Sequence, residues 1–344
     1  MSTFVALENL KSITMTTKKL YFAALCLWSA CAGWAQGPNN SGTYYQSADG
    51  KQGAALKTAL KSVIYNRSER TYAQLWTDFQ TTDKRADGKV WDMYSNITNY
   101  TFGTDQDTGS GSKEGTCYNR EHSFPNSWFG GKVQPMYTDL HHLYPTDKIV
   151  NGKRSNNPFG ETAGESYKSA NGFSKLGSCT YPGYTGIVFE PADEYKGDFA
   201  RTYFYMVTCY EEKLADWYAS YADVRSTIDG SAYPGLQSWQ LAMLMKWAKN
   251  DPVSTKETNR NNAVYSIQQN RNPFIDYPGL EEYIWGDKKT VAFSYDHYGI
   301  DITGIVDVKG AAEGARDCYN LRGQRVVNPG KGLYIVGGKK VLIR

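Results

Sequence analysis

The sequence has few of the residues and patterns that build the common metal centres and membrane anchors. Its 344 residues include four histidines and six cysteines. Neither a C-x-x-C pair nor an H-E-x-x-H motif occurs, which argues against a zinc knuckle and against the usual zinc hydrolases. No apolar run reaches the ~20 residues that a membrane-spanning helix needs, and no internal repeat is present. We therefore predict a chain without zinc modules, repeats or membrane spans.

A large excess of charge of one sign is also absent. The formal net charge of the chain is +3. Residues 1–35 carry +2 and residues 309–344 carry +6, which leaves −5 on residues 36–308. If this main body binds nucleic acid, its basic surface must be local, because its overall charge repels phosphate.

The first 35 residues have the pattern of a secretion signal. Lys18 and Lys19 precede the apolar run LYFAALCLWSACAGWA, which ends in small residues at Ala35. We predict residues 1–35 as a signal peptide and the remainder as a secreted, extracellular protein, with attachment to the cell surface left open. Residues 36–52, QGPNNSGTYYQSADGKQ, are predicted as a polar lead-in.

Cleavage of the signal would leave four widely spaced cysteines, Cys117, Cys179, Cys209 and Cys318. In the oxidising environment outside the cell, we expect one disulfide among the first three. The sequence does not indicate which two of them pair.

Apolar periodicity predicts several helices in the main body. They are GAALKTALKSVI from Gly53, GDFARTYFYMVTCYEEKLADW from Gly197, GLQSWQLAMLMKWAKND from Gly235 and a helix within DPVSTKETNRNNAVYSIQQNRNPF. A shorter helix is predicted from Asp147 to about Ser155, with Thr146 as its N-cap. Asp198 is predicted as the N-cap of the second long helix, and KVWDMYSN as a strand.

The chain changes character near residue 300, where strand-like segments begin. LYIV and KKVLI flank Gly337 and Gly338, which predicts a β-hairpin with a two-residue turn. We predict a small β module over residues 300–344. Its segment CYNLRGQRVVNPGKGLYIVGGKKVLIR resembles the sorting module of proteins exported by the bacterial type IX secretion route. The resemblance implies contact with export machinery, and a small β cap that stabilises the main domain is the alternative.

Chemically versatile side chains are concentrated in one part of the chain, residues 120–157. Three of the four histidines, His122, His141 and His142, lie within 21 residues. The same stretch contains Arg120, Glu121, Asp139, Asn151, Lys153, Arg154 and Asn156. Each of them alone has an ordinary structural explanation, because a single histidine is usually a packing residue and a single glutamate usually lies at the surface. Their combination indicates a functional site.

Four ordered blocks then identify a family resemblance. They are NREHSFPNSWF, DLHHLYPTDKIVNGKRSNNPFG, FEPADEYKGDFARTYFYM and DPVSTKETNRNNAVYSIQQNRNPFIDYP, and they span roughly residues 50–286. Their content and spacing resemble the bacterial endonuclease I family, one of the ββα-metal or His-Me finger nucleases. The resemblance implies an α+β fold in which a ββα-metal core is surrounded by helices. It places the catalytic domain at residues 53–290, before the small C-terminal β module.

The resemblance also implies roles for individual residues. His122 matches the general base that activates a water, and Glu121 and Asn151 match the ligands of a single Mg²⁺, with Ca²⁺ or Mn²⁺ as alternative cations. The chemistry is consistent with these roles, because Mg²⁺ prefers carboxylate and amide oxygens. An imidazole titrates near neutrality and can take a proton from water.

The phosphate-binding arginine of the family has no single counterpart in this chain. Arg154 and Arg120 are both candidates, since arginine binds phosphate through paired hydrogen bonds. Ser155 follows Asn151 by four residues and would share its helix face, near the same phosphate. His141 could orient the site through a hydrogen bond, or it could be a packing residue below the metal-bearing helix.

These observations predict a secreted, metal-dependent endonuclease. It would hydrolyse DNA and RNA with little sequence preference and leave 5′-phosphate ends. A zinc hydrolase built from Cys117, His122, His141 and His142 is disfavoured by their spacing. A non-catalytic surface adhesin on the same fold is disfavoured because Glu121, His122 and Asn151 occur together. The oligomeric state is not indicated.

Overall fold

The protein is described by a computed structural model. The described residues are 36–107, 112–299, 306–307, 318–320, 326, 329, 331–336 and 339–343. The chain divides into two units between Asp296 and His297, a position between the predicted end of the catalytic domain at 290 and the predicted start of the β module at 300. The predicted signal peptide, residues 1–35, lies outside the described residues.

The larger unit is mainly helical. Over its described part the helices are α1 (Gly53–Ile64), α2 (Leu75–Thr82), α3 (Lys148–Arg154), α4 (Lys196–Cys209), α5 (Leu214–Ser220), α6 (Ser238–Asn250), α7 (Thr255–Gln268), α8 (Pro273–Asp276) and α9 (Leu280–Ile284). Helix α4 is central, because all its residues from Gly197 to Cys209 are buried and it packs against α1, α6 and α8. The apolar side chains whose periodicity predicted α4 and α6 are buried in the core. No helix among the described residues is both long and apolar enough to cross a membrane.

Two small antiparallel sheets accompany these helices. Strands β1 (Tyr118–His122) and β2 (Leu143–Asp147) pair with Glu121 opposite Tyr144. Strands β3 (Tyr167–Lys168), β4 (Lys175–Ser178) and β5 (Ile187–Glu190) form the second sheet in that order. Helix α3 begins directly after β2 and contacts β1. This mixture of helices and small antiparallel sheets confirms the α+β class.

The smaller unit contains a sheet of four described strands. They are β6 (Val306–Asp307), β7 (Cys318–Tyr319), β8 (Gly332–Val336) and β9 (Lys339–Ile343), arranged in the order β6-β9-β8-β7. Strands β8 and β9 are antiparallel, with Val336 opposite Lys339. The pairing of the two predicted hairpin strands is confirmed, and their Gly337-Gly338 turn lies outside the described residues.

Two predicted helix starts are wrong. Asp147, not Thr146, is the N-cap of α3, because its carboxylate accepts from the N–H groups of Ile149 and Val150. Thr146 belongs to β2, so the chain turns one residue later than predicted. Asp198 lies inside the first turn of α4, where its buried carboxylate is paired with Lys256 instead of capping the helix.

The predicted strand KVWDMYSN and the long helix from Gly197 also need correction. Residues 89–96 are irregular, because the buried carboxylate of Asp92 binds the N–H groups of Tyr94 and Asp147 in place of a strand partner. The helix from residue 197 to 217 is interrupted, since α4 ends at Cys209 and α5 begins at Leu214.

The disulfide predicted among Cys117, Cys179 and Cys209 is wrong, because all three thiols are free. Cys117 is buried just before β1, whereas Cys209 ends α4. The sulfur of Cys209 accepts a hydrogen bond from Arg67 at 3.1 Å, and Cys179 contacts the carbonyl of Tyr181. Each thiol therefore has its own local surroundings instead of a cysteine partner.

Candidate active site

A polar cleft of about 400 Å³ lies where β1 meets α3. Its lining consists of Tyr72, Arg120, Glu121, His122, Pro125, Asn126, Ser127, Asn151, Ser155 and Asn156. The structure thus brings together five residues predicted for the site, since Arg120, Glu121, His122, Asn151 and Ser155 all line it. Arg154 and His141, which were predicted with them, are not part of the lining.

Glu121 is held in the wall of the cleft by two donors. Its side chain is almost fully buried, with 3% of the residue exposed. The hydroxyl of Tyr94 donates to its Oε1 at 2.7 Å, and Nη1 of Arg154 donates to the same oxygen at 2.6 Å. Burial raises the pKa of Glu121, and the Arg154 charge opposes that rise. The paired guanidinium favours the ionised carboxylate that a cation would need.

His122 is oriented by a backbone carbonyl and an aromatic ring. Its Nε2 lies 2.9 Å from the carbonyl oxygen of Tyr137, and the two rings are stacked 5.1 Å apart. Because a carbonyl oxygen can only accept, Nε2 carries the proton and Nδ1 is the basic nitrogen. Burial, followed by the neighbouring His142, lowers the pKa of His122 to about 3. The imidazole is therefore neutral near pH 7 and able to accept a proton.

Asn151 brings an amide to the same cleft from the first turns of α3. The start of this helix is fixed by Asp147, which also accepts from the hydroxyl of Tyr100 and the N–H of Gly115. The Nδ2 of Asn151 donates to Oδ1 of Asn119 at 2.8 Å. Its donor end is therefore engaged away from the cleft lining, and its carbonyl oxygen is the end that remains for a ligand.

Glu121 and Asn151 together fit a hard divalent cation. They supply one carboxylate and one amide oxygen, and Mg²⁺ usually takes few protein oxygens and keeps several waters. Among the described residues, no group of three or more His, Cys, Asp and Glu side chains is arranged to hold a metal. The zinc alternative built from cysteine and histidine therefore gains no support from this part of the chain.

Arg154 is placed differently from the prediction. It is fully buried, at 0% exposure. Its guanidinium donates to Glu121 and to the carbonyls of His122, Ser123 and Asn157. These bonds turn it away from the cleft, so in this structure it cannot contact a phosphate there. Helical spacing puts Arg154 three residues after Asn151 but does not show that α3 packs this position into the core.

His141 is also buried outside the cleft lining. Its Nε2 lies 3.2 Å from the carbonyl of Asn270, and its ring lies 4.5 Å from that of Tyr205. These contacts agree with the packing alternative. They show no hydrogen bond from His141 to Glu121, His122 or Asn151.

Arg120 provides a cation in the cleft lining. Its guanidinium carbon lies 3.5 Å from the ring centroid of Tyr72 and 4.1 Å from that of Trp76. Its Nη1 donates to the carbonyl of Tyr72 at 2.7 Å, while its buried Nε has no hydrogen-bond partner. The two rings fix the plane of the guanidinium, and not all of its five N–H donors are used by the protein.

Ser155 has an unusual backbone at the edge of the cleft. It is the C-cap of α3, with φ 55° and ψ −130°, and its side chain is exposed. A positive φ is uncommon for serine and is normally filled by glycine or asparagine. Such strain is often found at functional sites.

The lining also contains residues that the sequence did not single out. Asn126 and Ser127 lie in the block NREHSFPNSWF, four and five residues after His122, so the motif itself was a usable signal for them. Tyr72 comes from a loop 48 residues before Arg120. Nothing in its local sequence indicates that it reaches the site.

A larger polar cleft of about 560 Å³ lies beside the start of α4. Its lysines are already paired, because Lys196 binds Glu190 and Asp193 while Lys246 binds Glu161. The larger cleft contains none of the residues predicted for the site, so the smaller cleft is the candidate site.

Comparison with known proteins identifies the family to which the chain is similar. The family described as Endonuclease I matches residues 52–279. An extracellular ribonuclease of Bacillus amyloliquefaciens is 39% identical over 250 residues, 71% of this chain and 78% of the relative. An extracellular ribonuclease of Bacillus subtilis (strain 168) is 36% identical over 249 residues, with the same coverage of 71% and 78%. Endonuclease-1 of Buchnera aphidicola subsp. Baizongia pistaciae is 29% identical over 143 residues, 41% of this chain and 47% of the relative.

Proposed function

This chain belongs to the endonuclease I family and is a nuclease, and we propose that it is a secreted, metal-dependent endonuclease acting on DNA and RNA. The observation that carries the proposal is that Glu121, His122 and Asn151 line one cleft together with Arg120. Strands β1 and β2 with helix α3 would form the ββα-metal core, since all four residues lie on β1 or α3. The relatives named extracellular ribonucleases support secretion and an RNA substrate, and the relative named Endonuclease-1 supports endonuclease activity.

In this proposal Glu121 and Asn151 hold Mg²⁺, with Mn²⁺ or Ca²⁺ as alternatives. The bound cation would stabilise negative charge on the scissile phosphate and on the leaving 3′ oxygen. Glu121 suits this task because Arg154 and Tyr94 fix its carboxylate from behind. Asn151 suits it because its NH₂ group is already engaged by Asn119.

His122 is the proposed general base. A water attacks phosphorus and its proton passes to Nδ1, the nitrogen left basic by the bond between Nε2 and the Tyr137 carbonyl. The P–O3′ bond breaks, the 3′ oxygen takes a proton from solvent, and the phosphate stays on the 5′ side. Burial lowers the pKa of His122 to about 3, so the imidazole is unprotonated across the neutral range, and the negative charge of a bound phosphate would raise that pKa toward the range in which a base is effective.

Arg120 replaces Arg154 as the proposed phosphate contact. It lines the cleft and is held between Tyr72 and Trp76, so its free edge can meet a phosphate without first losing much flexibility. Ser155 would add a hydroxyl contact at the same edge. These residues would contact the sugar-phosphate backbone of the nucleic acid and not its bases, which predicts little sequence preference.

The test is cleavage of supercoiled plasmid and of a folded RNA by the purified mature protein, with added Mg²⁺ or with a chelator. We expect both substrates to be cut with Mg²⁺ and neither with the chelator. Cleavage that persists in the chelator would refute the metal mechanism. No cleavage under either condition would favour the adhesin alternative.

The C-terminal β module remains a proposed sorting module for export. Its sheet of four described strands is compatible with a small separate unit. Removing residues 300–344 should stop export in a type IX-competent host and leave the specific activity of the purified nuclease unchanged. A matched loss of activity would instead indicate a stabilising cap.

A further inference from the structure

We propose that Asn119 is a positioning residue, which holds the amide of Asn151 so that its oxygen faces the cation site. The inference rests on the proposed function, because it assumes that Asn151 is a metal ligand. Asn119 lies on β1, two residues before Glu121, and its side-chain oxygen accepts from Nδ2 of Asn151 at 2.8 Å. It does not line the cleft, so any effect it has on the cation must pass through Asn151.

The need for such a residue follows from the chemistry of an amide. One end of the asparagine side chain is an acceptor oxygen and the other is a donor NH₂, and the two ends have nearly the same shape. A half-turn about the last side-chain bond exchanges them and would present N–H groups to the cation. Asn151 is half-buried, so packing alone does not exclude this reversed form.

Asn119 opposes the reversed form because its Oδ1 accepts from the donor end of Asn151, so reversing Asn151 would require the Asn119 amide to turn as well or would break the bond. Its position on the strand is fixed by the ladder, in which it lies opposite Thr146. Since residues two apart on a strand share a face, β1 directs both Asn119 and Glu121 toward α3. One strand therefore supplies one proposed ligand directly and orients the other from the neighbouring helix.

The size of the effect can be estimated from one hydrogen bond. The net free energy of one such hydrogen bond changes an equilibrium constant by about 2- to 12-fold. Replacing Asn119 with alanine should therefore weaken cation binding by about 2- to 12-fold without abolishing it. The change should appear in the binding of the metal alone, before any nucleic acid is present.

The experiment is a double-mutant cycle on the full mature chain. Mn²⁺ binding is measured by titration calorimetry for the unchanged protein, Asn119→Ala, Asn151→Asp and the double variant. A carboxylate has two equivalent oxygens and needs no orientation, so Asn119→Ala should change Mn²⁺ affinity less than about 2-fold in the Asn151→Asp background. Asn119→Asp keeps an acceptor for Asn151 and should retain the affinity of the unchanged protein or exceed it.

An equal loss of Mn²⁺ affinity in both backgrounds would overturn the proposal, because it would show a general structural effect. Unchanged affinity in Asn119→Ala would overturn it as well. If the alanine variant does not fold, Asn119→Val removes the acceptor while keeping a residue favoured in strands, and the same comparison applies. Failure of the unchanged protein to bind Mn²⁺ is a separate result, which would refute the proposed metal site itself.

Discussion

Arg154 and Arg120 provide a matched pair of substitutions with opposite expected effects. Arg154→Met keeps an unbranched side chain but leaves the buried Glu121 carboxylate without its charged partner. Removing one member of a buried ion pair costs about 3–5 kcal/mol, a large part of the ~5–15 kcal/mol that stabilises a typical protein. For a domain of this size that corresponds to a fall in Tm of roughly 6–20 °C.

Arg120→Met should instead have little effect on stability and should lower the rate of cleavage. The loss of its contact with Tyr72 is expected to cost at most about 2 kcal/mol of stability. The loss of one charged phosphate hydrogen bond, worth about 1.5–3 kcal/mol, should lower kcat/KM by about 10- to 150-fold. The dependence of log(kcat/KM) on log[salt] should also become shallower by about 1, since one phosphate contact is removed.

The assay combines thermal unfolding followed by circular dichroism with plasmid cleavage over a range of salt concentrations. We expect Arg154→Met to have a lower Tm. We expect Arg120→Met to have a lower kcat/KM and a shallower dependence of kcat/KM on salt. A variant Arg154→Met with unchanged Tm would refute the buried-pair argument. Full activity with an unchanged salt slope in Arg120→Met would remove Arg120 from its proposed role.

Three further predictions concern single groups. His122→Ala should lower kcat by about 10²- to 10⁴-fold and also lower the Tm, because the ring is buried against Tyr137, and a nearly active variant would exclude it as the base. Burial, together with the charge of Asp147, raises the pKa of Asp92 to about 7. Between pH ~4 and ~7 the folded state therefore holds a proton on Asp92 that the unfolded state has lost. The free energy of unfolding should fall as the pH rises through this range. Urea unfolding at pH 5, 6 and 7 should show the stability of the unchanged protein falling relative to Asp92→Asn by up to about 1.4 kcal/mol per pH unit, whereas parallel curves would contradict this. Ser155→Gly should raise stability by about 1 kcal/mol, because it relieves a positive φ, yet lower cleavage; unchanged cleavage would remove the hydroxyl from phosphate binding.

The sequence predicted that Glu121, His122 and Asn151 lie together, and they line one cleft, while their catalytic roles stay predictions. Glu121 and His122 are adjacent, and Asn151 follows β2 on a short helix, so their convergence depends on the pairing of β1 with β2 and on one turn. The N-cap of that helix was misplaced by one residue, because Thr146 and Asp147 are both good capping residues. The choice between them depends on where β2 ends, which is decided by its pairing with β1.

The parts that the sequence did not predict depend on long-range packing. Arginine is mostly a surface residue, so nothing in GKRSNN indicates that Arg154 is fully buried below Glu121. Tyr72 reaches Arg120 across 48 residues, and the Asp92 carboxylate binds the N–H of Asp147 across 55. The expected disulfide was wrong for a similar reason, since cysteine number and compartment do not determine which thiols meet.

A common arrangement links the three proposed reactive groups. Each has one polar atom bound by a residue behind the cleft: Oε1 of Glu121 by Arg154, Nε2 of His122 by the Tyr137 carbonyl, and Nδ2 of Asn151 by Asn119. For His122 and Asn151 the bond selects which of two unlike atoms is assigned to the water or the cation, whereas for Glu121 it only holds the carboxylate in place. Such preorganisation lowers the cost of arranging the groups during the reaction. Substitutions behind the cleft should therefore affect cation affinity or rate even where the fold survives, which is why the Asn119 cycle and the Arg154–Arg120 pair are informative together.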